Sequence, residues 1–220
     1  MLREVQGHAA IDAVQHSREG GNPMVRVLVI VCGVLLAGQA DAQVPVGDAA
    51  RGERLFKELH CASCHGSGKA AGTAAPALLK RDDPAYTPNA MASAMWSHAT
   101  GMWQAMERAK VERPRMTPAQ AADLFAYVAG ASRTDKTGDP AQGARVYQAK
   151  HCGSCHDEPY LGAPSLAARA GTFSSFSMVS SLWQHGAGML SRMVSKNTEW
   201  QRLTPEEMSH LVAYLNRRRP

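Results

Sequence analysis

Two pentapeptides carry the chemistry of this chain: Cys61-Ala62-Ser63-Cys64-His65 and Cys152-Gly153-Ser154-Cys155-His156. Each has the order C-x-x-C-H, the spacing at which a c-type haem is attached. Two thiols three positions apart reach the two vinyl groups of one porphyrin as thioethers. The histidine that follows is then held beneath the iron as its axial ligand. A zinc site would draw Cys and His from two separated pairs, and a redox dithiol needs no histidine after its second cysteine. The chain has five cysteines in 220 residues, four of them in these motifs. The fifth, Cys32, lies in a segment expected to be removed, so haem attachment accounts for the whole usage. The expectation is two covalently bound haem c groups, anchored at Cys61, Cys64, Cys152 and Cys155, with His65 and His156 on the irons. His60 and His151, each directly before a first cysteine, are tied too close to the anchoring thiols to swing over the far face of the ring.

The elements that must position these motifs come in two copies. Residues 47–56 (GDAARGERLF) match residues 138–147 (GDPAQGARVY) at an offset of 91, and the match runs straight into the two haem motifs. Ala75-Pro76-Ala77-Leu78 matches Ala163-Pro164-Ser165-Leu166 at an offset of 88. Trp96-Ser97-His98 then pairs with Trp183-Gln184-His185 at an offset of 87, as do Met102 with Met189 and Met106 with Met193. Such self-similarity marks a repeat architecture. Each copy closes on a predicted helix, 117–128 and 204–215. Both open with a capping box (Thr117 to Gln120, Thr204 to Glu207) and proline at the first helical position. No alternating strand pattern is present, so the expected class is all-α. Gly52/Phe56 and Gly143/Tyr147 lie four apart on a first helix, and Leu124/Tyr127 and Leu211/Tyr214 three apart on the last. Small residues let two helices approach closely while aromatic partners fill the crossing. A unit of about 85 residues has a thin core, which a covalently tied haem would supplement.

The N-terminus reads as an export signal. Met24-Val25-Arg26 opens a basic n-region, residues 27–37 are apolar, and Ala40-Asp41-Ala42 fits the small-x-small cleavage rule. The stretch before Met24 reads as translated intergenic DNA, with Met24 as the start. The division is therefore 1–42 signal and upstream extension, 43–130 first domain, 131–139 linker and 140–220 second domain. The apolar run is too short to span a bilayer comfortably, which leaves the mature chain in the periplasm and peripheral to the membrane at most. The formal charge is +5; the mature part keeps 21 Lys/Arg against 15 Asp/Glu, a net of +6. About four haem propionates would bring that to roughly +2. The basic balance therefore gives no argument for nucleic acid, and a modest one for docking on acidic patches of redox partner proteins.

A glycine and an aromatic on a first helix, then CxxCH, then a proline loop, then a Leu/Tyr closing helix: this order resembles the class I cytochrome c fold, present twice. The whole mature chain is similar to the two-domain di-haem cytochromes c of bacteria. The resemblance implies that Pro76 and Pro164 offer their carbonyls to the N–H of His65 and His156, fixing the tautomer and tuning the iron. The chain departs from the family in the sixth-ligand region, which has no Met-Pro step.

The repeat narrows the sixth ligand. Met116 aligns with Leu203, which cannot ligate iron, and directly precedes a helix N-cap where a hydrophobic staple is expected. The remaining pairs are Met102/Met189, Met106/Met193 and His98/His185. Thr100-Gly101 and Gly186-Ala187-Gly188 predict a helix break, which resembles the class I stretch where the ligand methionine follows a helix on a loop. Met102 and Met189 are therefore the favoured ligands, with Met106 and Met193 as alternates. Trp96 and Trp183 read as packing on the haem or its edge, and Met91, Met95 and Met208 as core fillers.

The implied function is electron transfer between redox partners of a respiratory chain, without catalysis of its own. The alternatives are a haem-bearing subunit of a larger complex and a di-haem enzyme, either a thiosulfate-oxidising dehydrogenase or a peroxidase. An enzyme would need one haem with an open distal face. The similarity of the two copies argues against that.

Overall fold

The computed structural model describes residues 46–66, 75–78, 85–130, 134–158, 162–169 and 171–218, so the signal segment lies outside the described residues. Among them are eight helices and no strand: α1 (Ala49–Glu58), α2 (Ala62–His65), α3 (Pro88–Arg108), α4 (Pro118–Ala129), α5 (Pro140–Ala149), α6 (Gly153–His156), α7 (Ser175–Ser195) and α8 (Pro205–Arg217). Each copy contributes a first helix, a one-turn haem-motif helix, a long helix and a closing helix. Both expected capping boxes form, at Thr117/Gln120 and Thr204/Glu207.

The first and last helices of each copy cross where the glycines are. A Cβ at Gly52 would lie 2.0 Å from the Asp123 carbonyl oxygen, and one at Gly143 would lie 2.0 Å from that of His210. Beside these contacts Phe56 tilts against Tyr127 with ring centres 5.5 Å apart, and Tyr147 against Tyr214 at 5.4 Å. Phe56 and Tyr147 are each 3% exposed, and burying one such ring is worth about 1.5–3 kcal/mol.

The entry to each crossing is closed by equivalent residues of different type. Asp123 accepts the Asp48 N–H (2.7 Å) and both arms of the Arg51 guanidinium (2.9 and 2.9 Å). At the matching position His210 accepts the Asp139 N–H on Nδ1 (2.8 Å). Burial pushes the Asp123 carboxyl up, but the Arg51 and Asp48 hydrogen bonds outweigh it and hold the group below its usual range. A depressed folded pKa stabilises above the unfolded pKa, and that stability is lost as pH falls through the folded value. Asp123→Asn should therefore cost about 1–3 kcal/mol near neutrality. The gap to wild type in denaturant midpoint should narrow below about pH 4. A gap independent of pH would contradict this role.

The glycine-rich stretches do not break the long helices. α3 and α7 are each continuous over 21 residues, so the expected loop before Met102 and Met189 is absent. A glycine inside a helix costs about 1 kcal/mol, and packing offsets it. A Cβ at Gly186 would lie 2.5 Å from Cη2 of Trp103, whose ring rests on that position.

The long helices also tie the two copies together. The described residues, 46 onward, belong to one compact unit. In it α3 packs mainly on α8 and α7, and α7 mainly on α4 and α3, with little contact between either and the closing helix of its own copy. The hydrogen bonds are reciprocal. Ser93 and Ser97 hydroxyls donate to the Leu203 carbonyl in the other copy. Their counterparts Ser180 (2.7 Å) and Gln184 (3.0 Å) donate to the Met116 carbonyl. Asp135 joins the two starts by accepting the Asn89 N–H (2.7 Å) and the Ser175 hydroxyl (2.8 Å). The Asn89 N–H is a first-turn donor that the start of α3 would otherwise leave open.

Trp96 stacks on Trp200 (5.2 Å), and Trp103 meets Trp183 (6.3 Å) and Trp200 (5.6 Å) edge to face. Trp96 lies in the seam between the copies, its N–H donating to the Gln201 carbonyl (2.8 Å). The indole N–H groups of Trp103 and Trp183 are buried without an oxygen partner, and edge-to-face indoles bring such groups against a ring face.

Candidate haem sites

Both motifs have the same local build. Cys61 and Cys152 precede one-turn helices, reached through His60 (φ 60°) and His151 (φ 57°) in the left-handed region. These histidines are exposed; they act as the turn that ends the first helix and aims the cysteines. Proline carbonyls face the axial histidines as the resemblance implied. His65 Nδ1 lies 2.9 Å from the Pro76 oxygen and His156 Nδ1 2.9 Å from that of Pro164. Each contact fixes Nδ1 as the protonated nitrogen and leaves Nε2 with its lone pair for a metal.

The donor set fits a haem and fits the rival readings poorly. Burial pushes the thiols of Cys61 and Cys152 up to about 11 each, whereas a redox dithiol needs a lowered value. Among the described residues no three Cys, His, Asp or Glu side chains gather as a metal cluster, so each motif's thiols and imidazole do not surround one ion.

A cytochrome c family model matches residues 49–132 and again residues 140–218. The chain belongs to the cytochrome c family. No curated protein and no solved structure matches it. Cytochromes of this family bind haem c covalently, transfer electrons by it and exchange them with redox partners.

The continuous long helices rearrange the sixth-ligand candidates of this cytochrome. His98, Met102 and Met106 are spaced by four, so on unbroken α3 they form one stripe, as do His185, Met189 and Met193 on α7. The methionines are half-buried and the histidines exposed. Ser93 and Ser97 reach the other copy from another face of α3, whereas Ala99 and Trp103, each one place on from His98 and Met102, border the stripe where it meets the seam. His98 Nδ1 contacts the Ala94 carbonyl at 2.8 Å, one turn back. Gly101 and Gly188 precede Met102 and Met189, and a Cβ at either would meet nothing within 4 Å. Met116 is 2% exposed and Leu203 5%, consistent with packing roles for both. Met91 and Met208 are buried as core, and Met95 is half-buried against it.

The second site carries an ion pair beside its motif. Beside the second motif the Tyr147 hydroxyl donates to Asp157 Oδ1 (2.9 Å), which also accepts Arg218 Nη2 (2.9 Å). The guanidinium lies over the Tyr147 ring at 4.9 Å. Burial and the Asp157 contact push the Tyr147 phenol well above its usual range. The sequence reading missed this group, although the replacement of Ala62 and Gly66 by Gly153 and Asp157 between the two motifs was visible.

Proposed function

We propose that this cytochrome carries two haem c groups and works as a periplasmic di-haem electron carrier between respiratory partners. The observation that carries it is the repeated proximal geometry, an imidazole Nδ1 at 2.9 Å from a proline carbonyl in both motifs. Bound haem supplies a ferric/ferrous couple. Cys61, Cys64, Cys152 and Cys155 anchor the rings, His65 and His156 present Nε2, and Pro76 and Pro164 hold those imidazoles in one tautomer and orientation. Among the described residues no helix is long and apolar enough to cross a membrane. The net positive charge of the mature segment suits partners with acidic docking patches. On protein matured with the attachment machinery, a pyridine haemochrome assay should give two covalent haems per chain. The reduced protein should not bind carbon monoxide readily. Ready binding at one haem, with turnover of peroxide or thiosulfate, would move the function to the enzyme alternative.

Met102 and Met189 are the proposed sixth ligands, with Met106/Met193 and His98/His185 one turn away on the same stripes. The open space at Gly101 and Gly188 favours the neighbouring methionines, because glycine lets a flat ring approach the helix. Thioether ligation suits a carrier, since methionine raises the potential. A methionine–iron charge-transfer band at the red edge of the ferric spectrum should vanish at one haem in Met102→Ala. Loss of the band in Met106→Ala instead would move the ligand by one turn. A wild type without the band would assign the histidines.

A further inference from the structure

The second haem motif differs from the first at four linked positions. Ala62 becomes Gly153, Gly66 becomes Asp157, Phe56 becomes Tyr147, and Ala131 becomes Arg218. The structure explains the linkage for the second copy. Asp157 folds back under its motif helix, where a Cβ at Gly153 would lie 2.7 Å from its Oδ2 and 3.1 Å from the Tyr147 ring. Alanine at that position, as in the first copy, would leave the carboxylate no room. In the first copy the relation is inverted: a Cβ at Gly66 would lie 2.7 Å from the Ala62 carbonyl, so no side chain fits there. Tyr147 supplies the hydroxyl that Phe56 lacks, and Arg218 closes the group from the end of α8.

We propose that the Tyr147–Asp157–Arg218 latch sets the second haem site to a lower reduction potential than the first. The proposal rests on the two-haem reading above. Asp157 is covalently next to the axial His156 and packed under the motif turn, while the Arg218 side chain reaches it from the end of α8, over the rings of Tyr147 and Tyr214. The carboxylate stands on the residue bonded to the axial histidine and the guanidinium on a residue 61 positions away, and a fixed carboxylate at that place favours the more positive oxidation state of the iron. No counterpart charge stands at Gly66. An electron received at the second site then passes to the first. With both haems bound, the second iron would go from ferrous to ferric as the first goes from ferric to ferrous, with one electron moved and no proton or co-reactant consumed. Asp157 and Arg218 are positioning residues for this step, which gives the relay a direction.

The test is a spectroelectrochemical titration of the full chain with its haem content measured in parallel. Wild type should show two separate one-electron waves. Asp157→Asn, which is isosteric, should move the lower wave positive, and Arg218→Gln should move that same wave negative, each leaving the upper wave in place. Opposite shifts at one haem are something a merely structural role would not produce. One unresolved two-electron wave in wild type, shifts in the same direction for both variants, or equal movement of both waves would overturn the proposal while two haems are still counted. Fewer than two haems per chain would overturn the two-haem reading itself, and the proposal with it.

Discussion

Gly52→Ala will cost the haem-loaded protein about 3 kcal/mol or more, as will Gly143→Ala. Alanine is the better helix former by about 1 kcal/mol, so propensity alone predicts a gain. Geometry decides otherwise. The added carbon would stand 2.0 Å from the Asp123 carbonyl oxygen and 2.8 Å from the Tyr127 Cβ, or 2.0 Å from the His210 oxygen and 2.5 Å from the Tyr214 Cβ. Neither obstacle is the flexible end of a side chain. The whole first helix must withdraw, taking with it the Phe56 or Tyr147 ring and the motif that follows. Against a typical total of about 5–15 kcal/mol, such a loss is readily measured as a fall in denaturant midpoint. A midpoint within error of wild type would mean the helices do not cross at these glycines.

Trp103→Ala tests the seam. Trp103 is 4% exposed and meets two indoles and Gly186 in the other copy. Its truncation should cost about 3–5 kcal/mol. Because α3 packs on α8 and α7 on α4, the loss should be shared. Both haems should lose their axial-ligand spectra in one transition, as a cooperative unit does. Two transitions, with only the first copy's displaced, would show that the copies fold independently.

Much of this was readable beforehand, for reasons that are local. CxxCH spacing is set by the porphyrin, the capping boxes by four-residue geometry, and the glycine–aromatic pairs by the closeness of one crossing. The long helices were misread because glycine was weighed by its propensity alone. The Trp103 ring that occupies Gly186's missing side chain comes from 83 positions away. The seam itself was hidden because a stripe of apolar residues shows that a face is covered, not by what. One signal was available: Trp103 and Trp200 face Leu190 and Arg113 in the repeat alignment. These two indoles abandon the repeat and meet each other between its copies. The Asp157 latch was hidden in the same way, since Arg218 reaches it from 61 residues away.

The reciprocal hydrogen bonds across the seam bear on how such a chain can change. A duplicated haem module that keeps its core to itself can be lost, copied again or moved into another gene by recombination. Here the carbonyl of Met116 is satisfied from Ser180 and that of Leu203 from Ser93. Deleting either copy strands buried polar groups in the survivor. Loss of one copy is therefore opposed by the fold itself, while divergence within the pair is not, and the substitutions around Asp157 are one instance of it.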